Sequence, residues 1–209
     1  DDAYNPRTYK TLRGIRMPDG IACFSIDGND YIITANEGDA REWGDYLNED
    51  ERDFGDGDSS PTGVITAENS GLDGKVVFLA SDDYDGLDDG IDYLYGGRSM
   101  TIFRADDSGL EEVFSTADDA ERITYSYLPE YYNASNDNAV LDDRSGKKGP
   151  EAEAVAVGEV NGRIYAFLAL ERTGGIMVYD VTDPENSKYV NYINTRDFTS
   201  IVSGSEIYE

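Results

Sequence analysis

Four carboxylates recur as two matched pairs. Asp19 and Glu37 bracket the run PDGIACFSIDGNDYIITANEG, and Glu153 and Glu171 bracket AEAVAVGEVNGRIYAFLALER, at a constant offset of 134 residues. In each run an acidic residue opens an apolar segment, an Asp-Gly or Asn-Gly pair follows, and a Tyr-led apolar segment leads to a second acidic residue. Antiparallel strands joined by such a turn return the closing residue to the end where the opening one lies. Carboxylates gathered in this way repel one another unless a cation or a proton lies between them. Two roles are open here: the four contact a metal ion or ligand, or they accept hydrogen bonds from turn amides and pair with Arg41 and Arg172.

A second acidic set lies in SDDYDGLDDGIDYLYGG, with Asp82, Asp83, Asp85, Asp88, Asp89 and Asp92 spaced around Gly86 and Gly90. Calcium takes six to eight oxygen ligands from flexible loops, which such a segment supplies. The spacing is not that of an EF-hand. A calcium site is expected, because this much like charge would not order unaided; the alternative is a solvated loop. A third set runs from Asp39 to Asp58. Asp39 joins the candidate ligands beside Glu37, while the rest reads as a solvated face packed through Trp43, Tyr46 and Phe54. Arg41 and Arg98 are candidate anion binders, since a guanidinium grips carboxylate or phosphate through two donors; an internal salt bridge is their other reading. Asn133-Ala134-Ser135 is a glycosylation sequon.

Composition removes several chemistries. The chain has no histidine, which excludes His-based acid/base catalysis, Ser-His-Asp triads and His-ligated zinc in this stretch. Cys23 is its single cysteine, so no internal disulfide forms, and its apolar run predicts a buried thiol. The net charge of −27 repels nucleic acid and anionic membranes and suits divalent cations, cationic partners or a salt-adapted surface. No apolar run approaches a membrane span of roughly 18 residues. The chain starts without Met, which reads as a processed or excised piece.

Positioning these groups requires the strands around them. After the second run come two more predicted strands, about 176–181 and 189–193; after the first, their equivalents at about 99–104 and 110–115 are delayed by roughly 60 residues. A Gly-Gly pair precedes the third strand in both copies, Gly96-Gly97 and Gly174-Gly175. Two units of four antiparallel strands are the sequence signature of β-propeller blades. The fold expected is therefore all-β: part of a single β-propeller domain, with blade one at about 18–116, blade two at about 152–194, and residues 195–209 starting the next linker. Two blades do not close a ring, so more blades or other copies of the chain would be needed, and exposed sheet edges would favour self-association. An acidic insertion spans 37–96, with 18 Asp or Glu against three Lys or Arg and one short strand-like run at 76–80. A segment at 117–149 links the blades; Thr116 and Asp119 suggest a capping box for a helix reaching about Tyr127.

The blocks MPDGIACF, DYIITANEGDAR, GGRSMTIF, DDRSGKKGPEAEAVAVGEVNGRIYAFLALERTGGIMVYDVTDP and VNYINTRDF resemble the choice-of-anchor I family, from about Met17 to Phe198. That family includes mesenchyme-specific cell-surface glycoproteins linked to biomineralisation and bacterial members with an alkaline-phosphatase-like label. The resemblance implies a secreted or surface-anchored propeller of more blades, with its anchor outside this segment. Where relatives tend to have Pro-Glu-Gly, this chain has Ala152-Glu153-Ala154. The expected function is a calcium-binding extracellular module of structural or interaction type, with matrix, mineral or a cell-surface protein as partner. The alternatives are a metal-dependent phosphoesterase, and a salt-adapted propeller without a metal site.

Overall fold

The computed structural model describes residues 4–42, 44, 51–53, 60–70, 72, 76–80 and 86–199. The strands in chain order are β1 (Leu12–Gly14), β2 (Pro18–Ile26), β3 (Asn29–Asn36), β4 (Glu51–Asp53), β5 (Val77–Leu79), β6 (Asp92–Leu94), β7 (Ser99–Asp106), β8 (Gly109–Ser115), β9 (Ala152–Val160), β10 (Arg163–Leu170), β11 (Ile176–Asp180) and β12 (Lys188–Ile193). Two helices, α1 (Ala67–Ser70) and α2 (Asp119–Tyr127), complete the set with a 3-10 turn at Pro184–Asn186.

The turns form where the sequence demands them. Asp27 and Gly28 take φ of 52° and 80°, and Asn161 and Gly162 take 53° and 77°. Both central residues of a type I′ turn need positive φ, which Asn, Asp and Gly tolerate best. The turns fold β2 onto β3 and β9 onto β10, and the next two strands add in sequence to give two antiparallel meanders, β2-β3-β7-β8 and β9-β10-β11-β12. The four-strand units and their order are those expected. The described sheets do not close into a ring.

Each meander has one face in a shared core. Tyr31, Ile33, Ala35, Met100 and Ile102 of the first pack with Ala166, Leu168, Leu170, Met177 and Tyr179 of the second, and Ala120 and Ile123 of α2 close the cluster. Burying such side chains supplies about 1.5–3 kcal/mol each. The innermost strands β2 and β9 lie together, and Gly20 permits it: a Cβ there would sit 2.7 Å from the Ala154 Cα.

Three expectations change, and the sequon takes its place. A third sheet, β1-β6-β5-β4, forms in the acidic insertion, with β1 brought in parallel to β6 from the N-terminal side; only the β5 segment reads as a strand in the sequence. Cys23 is exposed rather than buried. It lies on edge strand β2, whose outward face carries Ile21, Cys23 and Ser25. The helix at Asp119–Tyr127 forms without the capping box: Thr116 Oγ1 accepts the Met100 amide at 2.8 Å, and no side chain caps the helix. The sequon asparagine is fully buried, and its amide nitrogen donates to Glu121 and to Ser145, both at 2.8 Å. In the folded chain Asn133 therefore presents no acceptor for a glycan. Among the described residues, no helix is long and apolar enough to cross a membrane.

Candidate metal site

The four repeated carboxylates meet where the two meanders join. Pairing along β2 and β3 slips between Pro18 and Ile21, so that Asp19 and Gly20 stand opposite a single residue. Pairing along β9 and β10 slips between Ala169 and Leu170, which leaves Glu153 as the extra residue. A bulge of this kind re-aims a side chain. Here two bulges, one in each repeat, turn Asp19 and Glu153 toward each other across the close β2–β9 contact. Glu37 follows the end of β3, fixed by the Gly97 amide donating to its carbonyl at 3.0 Å. Gly38 at φ 76° makes the chain reverse there, and a Cβ would collide with the Gly97 amide nitrogen; the Gly-Gly pair and the Asn-Glu-Gly stretch are two sides of one backbone crossing.

The result is two linked triads. Oxygens of Asp19, Glu37 and Glu153 lie within 4.8 Å of one another, and so do oxygens of Glu37, Glu151 and Glu171. Glu37 belongs to both. Lys148, only 8% exposed, reaches Glu37 at 2.5 Å, Asp39 at 2.8 Å and Glu151 at 3.2 Å. Arg172 Nε contacts Glu151 at 3.0 Å and Glu171 at 3.3 Å, and Arg144 donates to Glu151.

Glu151 is the residue that the repeat does not expose. Its side chain is fully buried and its φ of 57° is in the left-handed region. Such a conformation costs a bulky residue on the order of 1 kcal/mol. The three cations around it hold it there. Burial opposes its ionisation, but hydrogen bonds from Arg144 and Glu171 and the charges of Lys148 and Arg172 outweigh burial and bring its pKa down to about 2. Glu171 moves the other way, to about 7, through burial and its hydrogen bond to Glu151. The proton of the pair therefore resides on Glu171. Glu37 is raised by burial in spite of Lys148, and Glu153 by burial and by Asp19. The 117–149 linker delivers Arg144, and Lys148 stands at its end. The signal for them in the sequence is the GKKGPE run, which holds two of the five lysines in a chain of net charge −27.

The other candidates lie elsewhere. Asp82, Asp83 and Asp85 fall outside the described residues. Asp92 is buried in β6 and accepts the Thr62 amide at 3.0 Å and the Thr62 hydroxyl at 2.8 Å, capping the turn that precedes α1. Asp88 and Asp89 are described, and among the described residues they do not group with other carboxylates at metal-binding separation. Arg98 donates to Glu121 at 2.6 Å, to the Ser145 carbonyl at 2.7 Å and to the Lys147 carbonyl, pinning the linker to the first meander. Arg41 is half-buried past the end of β3.

The donor set around Asp19 fits a hard cation. It is all oxygen, as calcium and magnesium require, and the described residues bring no nitrogen or sulfur ligand to it. Among the described residues, Asp19 and Glu153 have no ion-pair partner.

The sequence signature of the choice-of-anchor I domain matches residues 1–184. Gigasin-3a of Magallana gigas is 32% identical over 92 residues, 42% of this chain and 32% of that protein. The mesenchyme-specific cell surface glycoprotein of Strongylocentrotus purpuratus is 24% identical over 224 residues, 87% of this chain and 28% of that protein. The chain thus spans about a third of the length of either curated relative. No solved structure matches it.

Proposed function

The chain belongs to the choice-of-anchor I domain family, and from that premise we propose that it forms part of an extracellular or cell-surface β-propeller whose rim carboxylates bind a divalent cation, calcium in the first place. The role is structural or interactive: the cation ties one blade to the next and presents a charged rim to a partner such as matrix, mineral or a surface protein. The surface location draws on the sea-urchin relative, named as a cell surface glycoprotein. The propeller reading draws on two consecutive meanders that stack face to face with their first strands together.

The observation that carries the cation reading is the meeting of Asp19 and Glu153 with Glu37 within 4.8 Å. Among the described residues, the carboxylates of Asp19, Glu37, Asp39, Glu151, Glu153 and Glu171 outnumber the cations placed with them, Arg144, Lys148 and Arg172. A divalent ion offsets that excess. Asp19 and Glu153 would hold it with the second oxygen of Glu37, the first being held by Lys148. The phosphoesterase alternative gains nothing from Arg98, whose guanidinium is spent on Glu121 and two carbonyls.

Isothermal titration with calcium, after EDTA treatment and desalting, tests the reading. Saturable binding is expected for the wild type and its loss for Asp19→Asn with Glu153→Gln. A salt-adapted surface without a site gives no saturable heat in either protein.

A further inference from the structure

A cavity of about 600 Å³ lies between the N-terminal segment and α2, apart from the carboxylate junction. Its position follows from how that segment is pinned. The Arg7 guanidinium donates to the Ser70 carbonyl at 2.5 Å, and the Tyr9 hydroxyl donates to the same oxygen at 2.9 Å. Tyr4 stacks on Tyr125 of α2, with ring centroids 4.6 Å apart. Residues 4–8 thus bridge α1 and α2 and form one wall. The opposite wall is the polar side of α2: Ala120 and Ile123 are buried in the core, while Asp118 and Glu121 line the cavity. That wall is fixed before any ligand arrives. Arg98 and Asn133 hold the two oxygens of Glu121 at 2.6 and 2.8 Å, and Asn133 also holds Ser145 at 2.8 Å. The cavity sits at the strand ends, where Arg98 precedes β7 and Ala117 follows β8. Sheets stack through their faces, so a further blade of the propeller leaves this position clear.

We propose that this cavity binds a carbohydrate, a β-linked hexose oligosaccharide that stacks one sugar ring on Tyr4. Its size is that of small-molecule sites, roughly 300–1,000 Å³. Tyr4 supplies the platform. Tyr132 lies 5.7 Å from Tyr4 and 5.6 Å from Tyr125, nearly perpendicular to both. Such even distances place it beside the stacked pair, so the second face of Tyr4 has no ring over it among the described residues. A hexose with equatorial hydroxyls carries axial C–H groups on its faces, which pack on an aromatic ring, while its hydroxyls need donors and acceptors around them. The cavity offers these: the side chains of Asn5, Thr8 and Asp118 line it and make no hydrogen bond among the described residues. Its charges argue against other ligand classes. Arg7 and Arg98 are matched by Asp118 and Glu121, so the lining carries no net charge. Both guanidiniums are taken up by the fold, which leaves no spare cation for a phosphate. The same two guanidiniums oppose an organic cation. The proposal does not depend on cation binding at the junction.

Ligand-observed NMR titration of the 209-residue chain tests it, with cellotriose and tri-N-acetylchitotriose as probes. EDTA is present throughout, so a failure here leaves the cation reading untouched. Saturable binding of at least one trisaccharide is expected. Tyr4→Ala weakens it roughly tenfold, the loss of one stacked ring. Asp118→Asn, a change at an exposed position, weakens it while circular dichroism stays unchanged. No binding of either trisaccharide overturns the proposal. So does binding that either folded variant retains in full. Displacement of the bound sugar by tetramethylammonium or by inorganic phosphate also overturns it, by assigning the cavity to a charged ligand.

Discussion

Glu151 is where the junction is most vulnerable. Its carboxylate is the shared partner of Arg144, Lys148 and Arg172, and no water reaches it. Removing one partner of a buried ion network strands the others, at a cost of about 3 kcal/mol or more. Glu151→Gln is therefore expected to lower the unfolding free energy by roughly that amount in urea titration. Glu111→Gln, which breaks the exposed Arg104 pair, should change it by less than about 1 kcal/mol. Glu171 sets a pH dependence. Its pKa is raised on folding, so its contribution is full below the unfolded value of roughly 4.3 and is lost as pH climbs through about 7. Stability in EDTA should fall between about pH 4.5 and 7 and level off above that, and Glu171→Gln should flatten the fall. A slope unchanged in the variant would assign the titration to another group. The four paired carboxylates were legible in the sequence because they recur. Glu151 was not, because its counterpart at the same offset is Met17, which shares its positive φ but not its charge.

At the scale of elements, the site depends on how closely β2 and β9 approach. Gly20 admits that approach, and Gly20→Ala forces backbone against backbone at Ala154 and Glu153. Overpacking of this kind costs typically 1–3 kcal/mol. The variant should melt lower and respond less to calcium, because Asp19 and Glu153 are pushed apart. The meanders themselves were readable from Asp-Gly and Asn-Gly turns between alternating apolar runs. The bulges were not, since a slip of register leaves no compositional mark. The third sheet was equally hidden: its strands are three residues long, two of the four include Asp, and their partners are set by tertiary contacts from Leu12 to Leu94. Lys148 meets Glu37 across 111 residues of sequence, a distance at which no local pattern operates.

For the whole molecule, charge and shape lead to one account. A surface of net charge −27 opposes compaction, and the two-meander core draws six carboxylates to its seam against three cations. The divalent ion proposed at Asp19, Glu37 and Glu153 would relieve both. The measurement that tests this most directly is a thermal melt at moderate salt with calcium and with EDTA, on the wild type and on Asp19→Asn with Glu153→Gln. Binding at about 100 times Kd adds roughly 2.7 kcal/mol, which for a chain of this size raises Tm by about 5–10 °C. The account predicts that rise in the wild type and its absence in the double variant. Equal melting temperatures in calcium and EDTA, or a rise that the double variant retains in full, would contradict it.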